Sequence, residues 1–394
     1  MRLRPSTVAS GVVAIATVAS LAIATPAHAA ATAPAYRAVR SCATAAAGVA
    51  ACKALLRTDI TPAVAQAATP TGLSPANLQS AYKLPSSTAG SGRTVAIVDA
   101  FDDPTAEADL ATYRSFFGLP ACTTANGCFR KVNQTGGTSY PRSNGGWAQE
   151  ISLDVDMVSA ICPNCHILLV EATSASFANL GTAVNTAASL GASAISNSYG
   201  GSDASDATYG GYYNHPGIAV TVSSGDNGYG AEYPASSHYV TAVGGTTLHT
   251  ASNTRGWTET AWSGAGSGCS AFNTILSGQS GVGTGCARRA VADVSAVADP
   301  ATGVSVYDST RYLGSSGWLT FGGTSVSSPI IASVYALAGN TASIDNNYPY
   351  GHSGSLFDVT SGSNGSCPTS QWCTARTGWD GPTGLGTPNG VGAF

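Results

Sequence analysis

Five short, nearly unbroken apolar runs restrict this chain more than any other feature: Thr94–Asp99, Ile167–Val170, Ala194–Asn197, Ile218–Val222 and Tyr239–Val243. Each is too short for a helix and reads as a strand buried on both faces. Stretches with helical spacing fall between and after them, at about Ala106–Phe117, Trp147–Ile161, Phe177–Leu190 and Ser328–Ala338. Strand–helix–strand alternation of this kind predicts an α/β fold, with a mostly parallel central sheet and helices on both faces. Sites in such sheets gather at the carboxyl ends of the strands.

Composition removes some functions. The 394 residues are 43% hydrophobic and 10% charged, with 17 basic against 21 acidic side chains and a net charge of −4. No basic patch can neutralise a run of phosphates, so a nucleic-acid partner is not expected. Disorder is also disfavoured. At the N-terminus, Arg2 and Arg4 precede an apolar run from Val8 to Ala24, and Ala27-His28-Ala29 follows. This reads as a signal peptide over residues 1–29, which predicts a secreted, extracellular protein without a membrane segment once it is removed. Ten cysteines lie in close sequence pairs: Cys42/Cys52, Cys122/Cys128, Cys162/Cys165, Cys269/Cys286 and Cys367/Cys373. An even count in an oxidising compartment predicts local disulfides that pin loops. Residues 30–68 are Ala-rich and read as a short pro-segment or linker. A single domain is expected over 69–394, as a monomer.

The sharpest local signal is Phe321-Gly322-Gly323-Thr324-Ser325-Val326-Ser327-Ser328-Pro329. Glycines let the backbone turn tightly, and a serine at a helix N-terminus has an exposed hydroxyl beside free N–H groups. Thr324 or Ser325 equally suits a plain helix cap. A nucleophilic serine needs a base. None of the six histidines lies in a His-Gly-Thr context, and His215, His238, His249 and His352 sit in polar, turn-like surroundings. Carboxylates are the other source. Glu150 and Asp154 are four apart in a helical window and share a face, where they repel unless they share a proton. Taken alone, the pair also suits a solvated polar face. Ser223-Ser224-Gly225-Asp226-Asn227-Gly228 places a carboxyl just after a buried strand, though Asp-Asn-Gly is also an ordinary turn.

Together these segments resemble the sedolisin family, the serine-carboxyl peptidases of subtilisin-like fold. Glu-x-x-x-Asp, then Ser-Gly-Asp, then Gly-Thr-Ser-x-Ser-x-Pro occur in the family's order, at Glu150/Asp154, Asp226 and Ser325. The resemblance starts near Leu73-Ser74-Pro75 and also takes in Ser196-Asn197-Ser198-Tyr199-Gly200-Gly201, Tyr233-Pro234-Ala235-Ser236 and Asp293-Val294-Ser295-Ala296. It implies Ser325 as nucleophile, Glu150 as general base, Asp154 as its partner and Asp226 in the oxyanion hole. Ser198, Tyr199 and Gly200 would bind a peptide or protein substrate. Asp226 must be protonated to donate to an oxyanion, so the resemblance implies an endopeptidase working at acidic pH. It also implies one structural Ca²⁺. Carboxylates of Asp358 and Asp380 and carbonyls of Val359, Arg376 and Gly378 would hold it, with Arg376 standing where the family usually has glycine. Sedolisin relatives usually carry a large folded prodomain, which 30–68 is too short to form.

Three other features compete. Cys162-Pro163-Asn164-Cys165-His166 matches a haem-attachment pattern and approximates a redox dithiol, but it joins a helix to a buried strand, which suits a small disulfide. Asp99 ends a strand as the catalytic aspartate of true subtilisins does; without His-Gly-Thr it reads as structural or as a neighbour of the Glu150/Asp154 pair, as does Glu171. The alternative to an enzyme is a secreted binding or scaffold protein with the same fold.

Overall fold

The computed structural model describes residues 1–3, 5–7, 36–62 and 69–394. The expected leader falls almost wholly outside these. In the central sheet the spatial order of strands is Trp257–Ala261, Thr241–Thr250, Ala219–Ser223, Ala194–Asn197, Thr94–Ala100, His166–Ala172 and Phe129–Asn133, with Val294–Val297 also paired to Thr241–Thr250. All these pairings are parallel except that of the edge strand Trp257–Ala261. The five expected strands are all present. The last is displaced, starting at Thr241 and continuing to Thr250. One hydrophobic cluster packs Ile97, Leu169 and Val243 with the helices Gly145–Ile161 and Thr324–Ala338. A second packs Val98, Val170 and Val222 with the helix Phe177–Ser189. Successive strand residues face opposite sides, so continuous apolar strands feed both clusters.

The N-terminal segment belongs to the same compact unit, which runs from Tyr36 to Phe394. Ala38–Arg40 and Leu55–Arg57 pair with each other, and Leu55–Arg57 adds antiparallel to Ser315–Gly322, whose other neighbour is Val304–Tyr312. Between them Ala51–Cys52 pairs antiparallel with Tyr199–Ser202. The five expected disulfides are all formed, including Cys162–Cys165, which accounts for the haem-like pattern. Among the described residues no helix is long and apolar enough to cross a membrane.

Candidate active site

The helix expected from Ser328 begins at Thr324. Pro329 lies inside it and cannot donate to the carbonyl of Ser325, four residues back. The Ser198 hydroxyl lies 3.4 Å from that carbonyl and shares its one hydrogen between it and the nearer Asp154 Oδ1. Ser325 is not a capping residue. The N-cap is Gly323, at φ +95°, and it has no side chain to cap with. The carboxylate of Asp226 takes over, accepting from the Thr324 N–H and the Thr324 hydroxyl, each at 2.8 Å. The Ser325 hydroxyl is thereby free, and it donates to the Ser198 carbonyl at 3.2 Å.

The helix Gly145–Ile161 begins at Asn144, whose side chain accepts from the N–H groups of Gly146 and Trp147. Its residues from Gly146 onward are all buried, so the polar face conceivable for Glu150 and Asp154 does not exist. Both carboxyls are fully buried. Burial raises Glu150 well above the usual carboxylate range, and the Asp99 charge adds to this. Hydrogen bonding to the Ser325 hydroxyl and the Ala54 N–H pulls the other way. Asp154 is raised by burial, then by Asp99 and Glu150, while the Ser198 hydroxyl donates to its Oδ1 at 2.9 Å. Glu150 Oε1 and Asp154 Oδ2 receive no hydrogen bond from any donor group. Two ionised carboxylates cannot bond to each other, whereas a pair holding one proton can. Asp99 is buried without a partner for either oxygen, and burial lifts it to about 8.

Asp226 sits at the carboxyl end of Ala219–Ser223, and burial raises it to about 6 against the opposing pull of Lys53 and the Thr324 donors. Its Oδ1 takes the two Thr324 bonds; its Oδ2 is buried with no partner. A β-carbon on Gly323 would lie 3.0 Å from that Oδ2 and 1.8 Å from the carbonyl oxygen of Lys53. Only glycine lets that carbonyl enter beside Asp226.

The strand expected to bind substrate is filled by the chain itself. Ala51 lies opposite Gly200 and Cys52 opposite Tyr199, and the Lys53 N–H donates to Ser198 O at 3.1 Å. The next amide, Ala54 N–H, donates to Glu150 Oε2 at 2.9 Å. Ser198, Tyr199 and Gly200 are thus brought together with Glu150, Asp154, Asp226 and Ser325 around one stretch of extended backbone.

At the other expected site, Asp358 Oδ2 accepts from Gly378 N–H at 2.9 Å, and Asp380 Oδ2 accepts from Arg376 N–H at 3.1 Å. Asp380 Oδ1 takes the Thr383 N–H and hydroxyl. Burial raises Asp380 to about 7, and the Asp358 charge is among the lesser causes. The Arg376 side chain turns away to Gln371. Among the described residues no group of three or more His, Cys, Asp or Glu is placed to hold a metal. With two carboxylates here, carbonyls such as those of Val359, Arg376 and Gly378 would have to complete any ligand set.

The model of the subtilase family matches residues 135–347. Kumamolisin of Bacillus sp. (strain MN-32) is 30% identical over 370 residues, an alignment covering 83% of this chain and 64% of kumamolisin. The chain belongs to the subtilase family, on its sedolisin branch. Sedolisin of Pseudomonas sp. (strain 101) is 33% identical over 203 residues, covering 43% of this chain and 33% of that protein. The chain therefore spans less than two thirds of the length of either relative. A solved structure of Pseudomonas sedolisin, a serine-carboxyl proteinase complexed with two molecules of pseudo-iodotyrostatin, superposes with a TM-score of 0.68 at 27% identity. That match covers 82% of this chain and 96% of the other.

On this sedolisin frame, the residues that sequence reasoning missed are Lys53 and Glu232. Lys53 forms an ion pair with Glu232, whose Oε1 accepts from Asn227 Nδ2 at 2.9 Å. The available signal was scarcity: the chain holds three lysines and five glutamates.

Proposed function

We propose that the chain is a secreted serine-carboxyl endopeptidase acting on peptides in acid. The observation that supports this most is the convergence on a single extended backbone of a hydroxyl (Ser325), a buried carboxyl pair (Glu150, Asp154) and a carboxyl whose second oxygen has no partner (Asp226). A scaffold has no physical reason to bury three carboxyls beside one serine. Ser325 attacks the scissile carbonyl and Glu150 takes its proton, with Asp154 orienting Glu150 and holding the shared proton. The oxyanion forms at Asp226 Oδ2, which donates when protonated. Glu150 then protonates the leaving nitrogen.

Asp226 sets the upper limit of pH in this reading. Its raised value means that the donor is lost as pH rises through about 6. Hydrolysis of an unfolded protein between pH 3 and 8 is expected to fall through that range. Asp226→Asn keeps a neutral donor that does not titrate. Its kcat/KM in acid is expected to drop by about tenfold, below the loss from deleting such a donor outright. Its high-pH limb is expected to move up by at least about one unit. An unmoved limb refutes the assignment.

Calcium fits the loop at Asp358 and Asp380. The Asp358 charge acts on Asp380, the Arg376 guanidinium is engaged with Gln371, and the donors are hard oxygens. Asp358, Asp380 and the carbonyls of Val359, Arg376 and Gly378 would hold the ion, which would lock this loop. Calcium at 100 times its Kd stabilises by about 2.7 kcal/mol. Tm is therefore expected to rise by roughly 5 °C over the chelated protein, and Asp380→Asn is expected to remove the difference.

A further inference from the structure

The reading of Ser325 and Glu150 as nucleophile and base leaves one matter open: which bond they cut. Residues 51–54 answer it by position. Ala51 and Cys52 pair antiparallel with Gly200 and Tyr199 of the strand expected to bind substrate, and Lys53 continues past it to Ser198. The Lys53 N–H and the Ser325 hydroxyl donate to the same oxygen, Ser198 O, at 3.1 and 3.2 Å. The Lys53 carbonyl oxygen is seated against Gly323, beside Asp226 Oδ2. The nitrogen on the far side of that carbonyl, Ala54 N, hydrogen-bonds to Glu150 Oε2 at 2.9 Å, where a leaving amine must collect its proton. Ser41 and Ala54 keep the segment in place from outside the strand: Ser41 N–H donates to Ala54 O at 3.0 Å, and Ser41 Oγ donates to Gln149 Oε1 at 2.8 Å.

The Lys53 side chain enters a pocket that ends in a charge. Its ammonium pairs with Glu232, and the two side chains are 4% and 13% exposed. Space for this comes from missing side chains. A β-carbon on Gly200 would lie 2.7 Å from Glu232 Oε2 and 3.3 Å from Lys53 Cε; one on Gly225 would lie 2.9 Å from Glu232 Oε1. Glu232 is anchored on a short strand opposite Ser202 and held by Asn227. An apolar or acidic side chain in this pocket strands a nearly buried carboxylate with Asn227 alone, whereas a cationic one compensates it.

We propose that Glu232 makes this a peptidase for bonds following lysine or arginine, and that its first substrate is its own Lys53–Ala54 bond. Ser325 Oγ adds to the Lys53 carbonyl carbon as its proton passes to Glu150. Collapse breaks the C–N bond, and that proton goes to the Ala54 nitrogen, leaving a Lys53 ester on Ser325 and a free amino group on Ala54. One water, giving a proton to Glu150, cleaves the ester; Lys53 gains a carboxyl and Ser325 its hydrogen. The released piece carries the Cys42–Cys52 disulfide intact.

The test uses the full chain, purified and brought to acidic pH, with intact mass and N-terminal sequencing as readout. A new N-terminus at Ala54 is expected, with Ser325→Ala remaining uncut. In parallel, peptides differing only in the residue before the bond (Lys, Arg, Leu or Glu) are compared by kcat/KM. The wild type is expected to favour Lys and Arg over Leu by about a hundredfold, and Glu232→Gln to bring that ratio below about ten. A purely structural role for Glu232 would lower all the peptides alike and leave the ratio standing. Lys53→Glu is expected to stop self-cleavage at this bond, and adding Glu232→Lys to restore it while turning the peptide preference toward Glu. Ser325-dependent hydrolysis with no basic preference, with the chain left intact, or with its cut elsewhere overturns this proposal and spares the active-site reading. No hydrolysis of any peptide or unfolded protein by the wild type overturns both.

Discussion

Ser325→Ala is expected to lower acid hydrolysis of an unfolded protein by at least about 10⁴-fold, with Glu150→Gln losing nearly as much and the double variant little more than either. The losses should not add, because in the proposed mechanism the two groups perform one proton transfer. Ser325 has one proton and two acceptors in reach, the Ser198 carbonyl at 3.2 Å and the Glu150 carboxylate. Removing the hydroxyl leaves the base nothing to deprotonate; removing the base leaves the hydroxyl donating to a carbonyl that cannot take its proton. Single-turnover rates on one peptide substrate measure this. Thermal unfolding run alongside separates chemistry from folding, since a serine-to-alanine change in a buried helix turn should shift Tm little. Activity within tenfold of wild type in Ser325→Ala would remove the serine from the mechanism.

Acid should also be the condition in which the fold is most stable, and the size of this effect should be unusual. Burial raises Asp103 to about 6 and Asp99 and Asp308 to about 8, and it pushes Glu150, Asp154 and Asp156 well above the ordinary range. In the unfolded chain these groups titrate near 4. The folded state therefore binds more protons wherever the pH lies between the two values. Their contribution is fully present below about pH 4 and is lost as pH rises through the folded values, from about 6 toward 8. A single group moved from 4 to 6 accounts for up to about 3 kcal/mol, and several act together. Tm is expected to fall by more than about 10 °C between pH 4 and pH 8, measured on Ser325→Ala to prevent self-digestion. A Tm that rises toward neutrality would mean that these carboxyls are ionised in the folded protein.

What could be read from the sequence follows from what each signal depends on. The strands Thr94–Ala100, His166–Ala172 and Ala194–Asn197 were legible because burial on both faces leaves an unbroken apolar run. Ser315–Gly322 and Val304–Tyr312 were not. They carry Asp308, Ser309, Thr310, Ser315 and Ser316 and are ordered by antiparallel pairing that brings in the distant Leu55–Arg57. The residues of the proposed site stand in the sequence as an ordered set, although their spacing alone left Glu150 on a helix that could equally have faced water; only the packing of every residue from Gly146 onward decides that it does not. The placement of residues 36–57 was hidden for a different reason. A short Ala-rich segment has no periodicity to read, and what fixes it is the edge offered by Tyr199–Ser202 together with the charge of Glu232.

The carbonyl of Ser198 serves as a common datum for the reaction. In the proposed mechanism attacker and attacked chain are both positioned from that one oxygen, so a drift of this backbone carries them along together. Alignment then depends on a local reference rather than on rigidity of the whole molecule, and thermal breathing that would misalign two independently mounted partners leaves this pair in register.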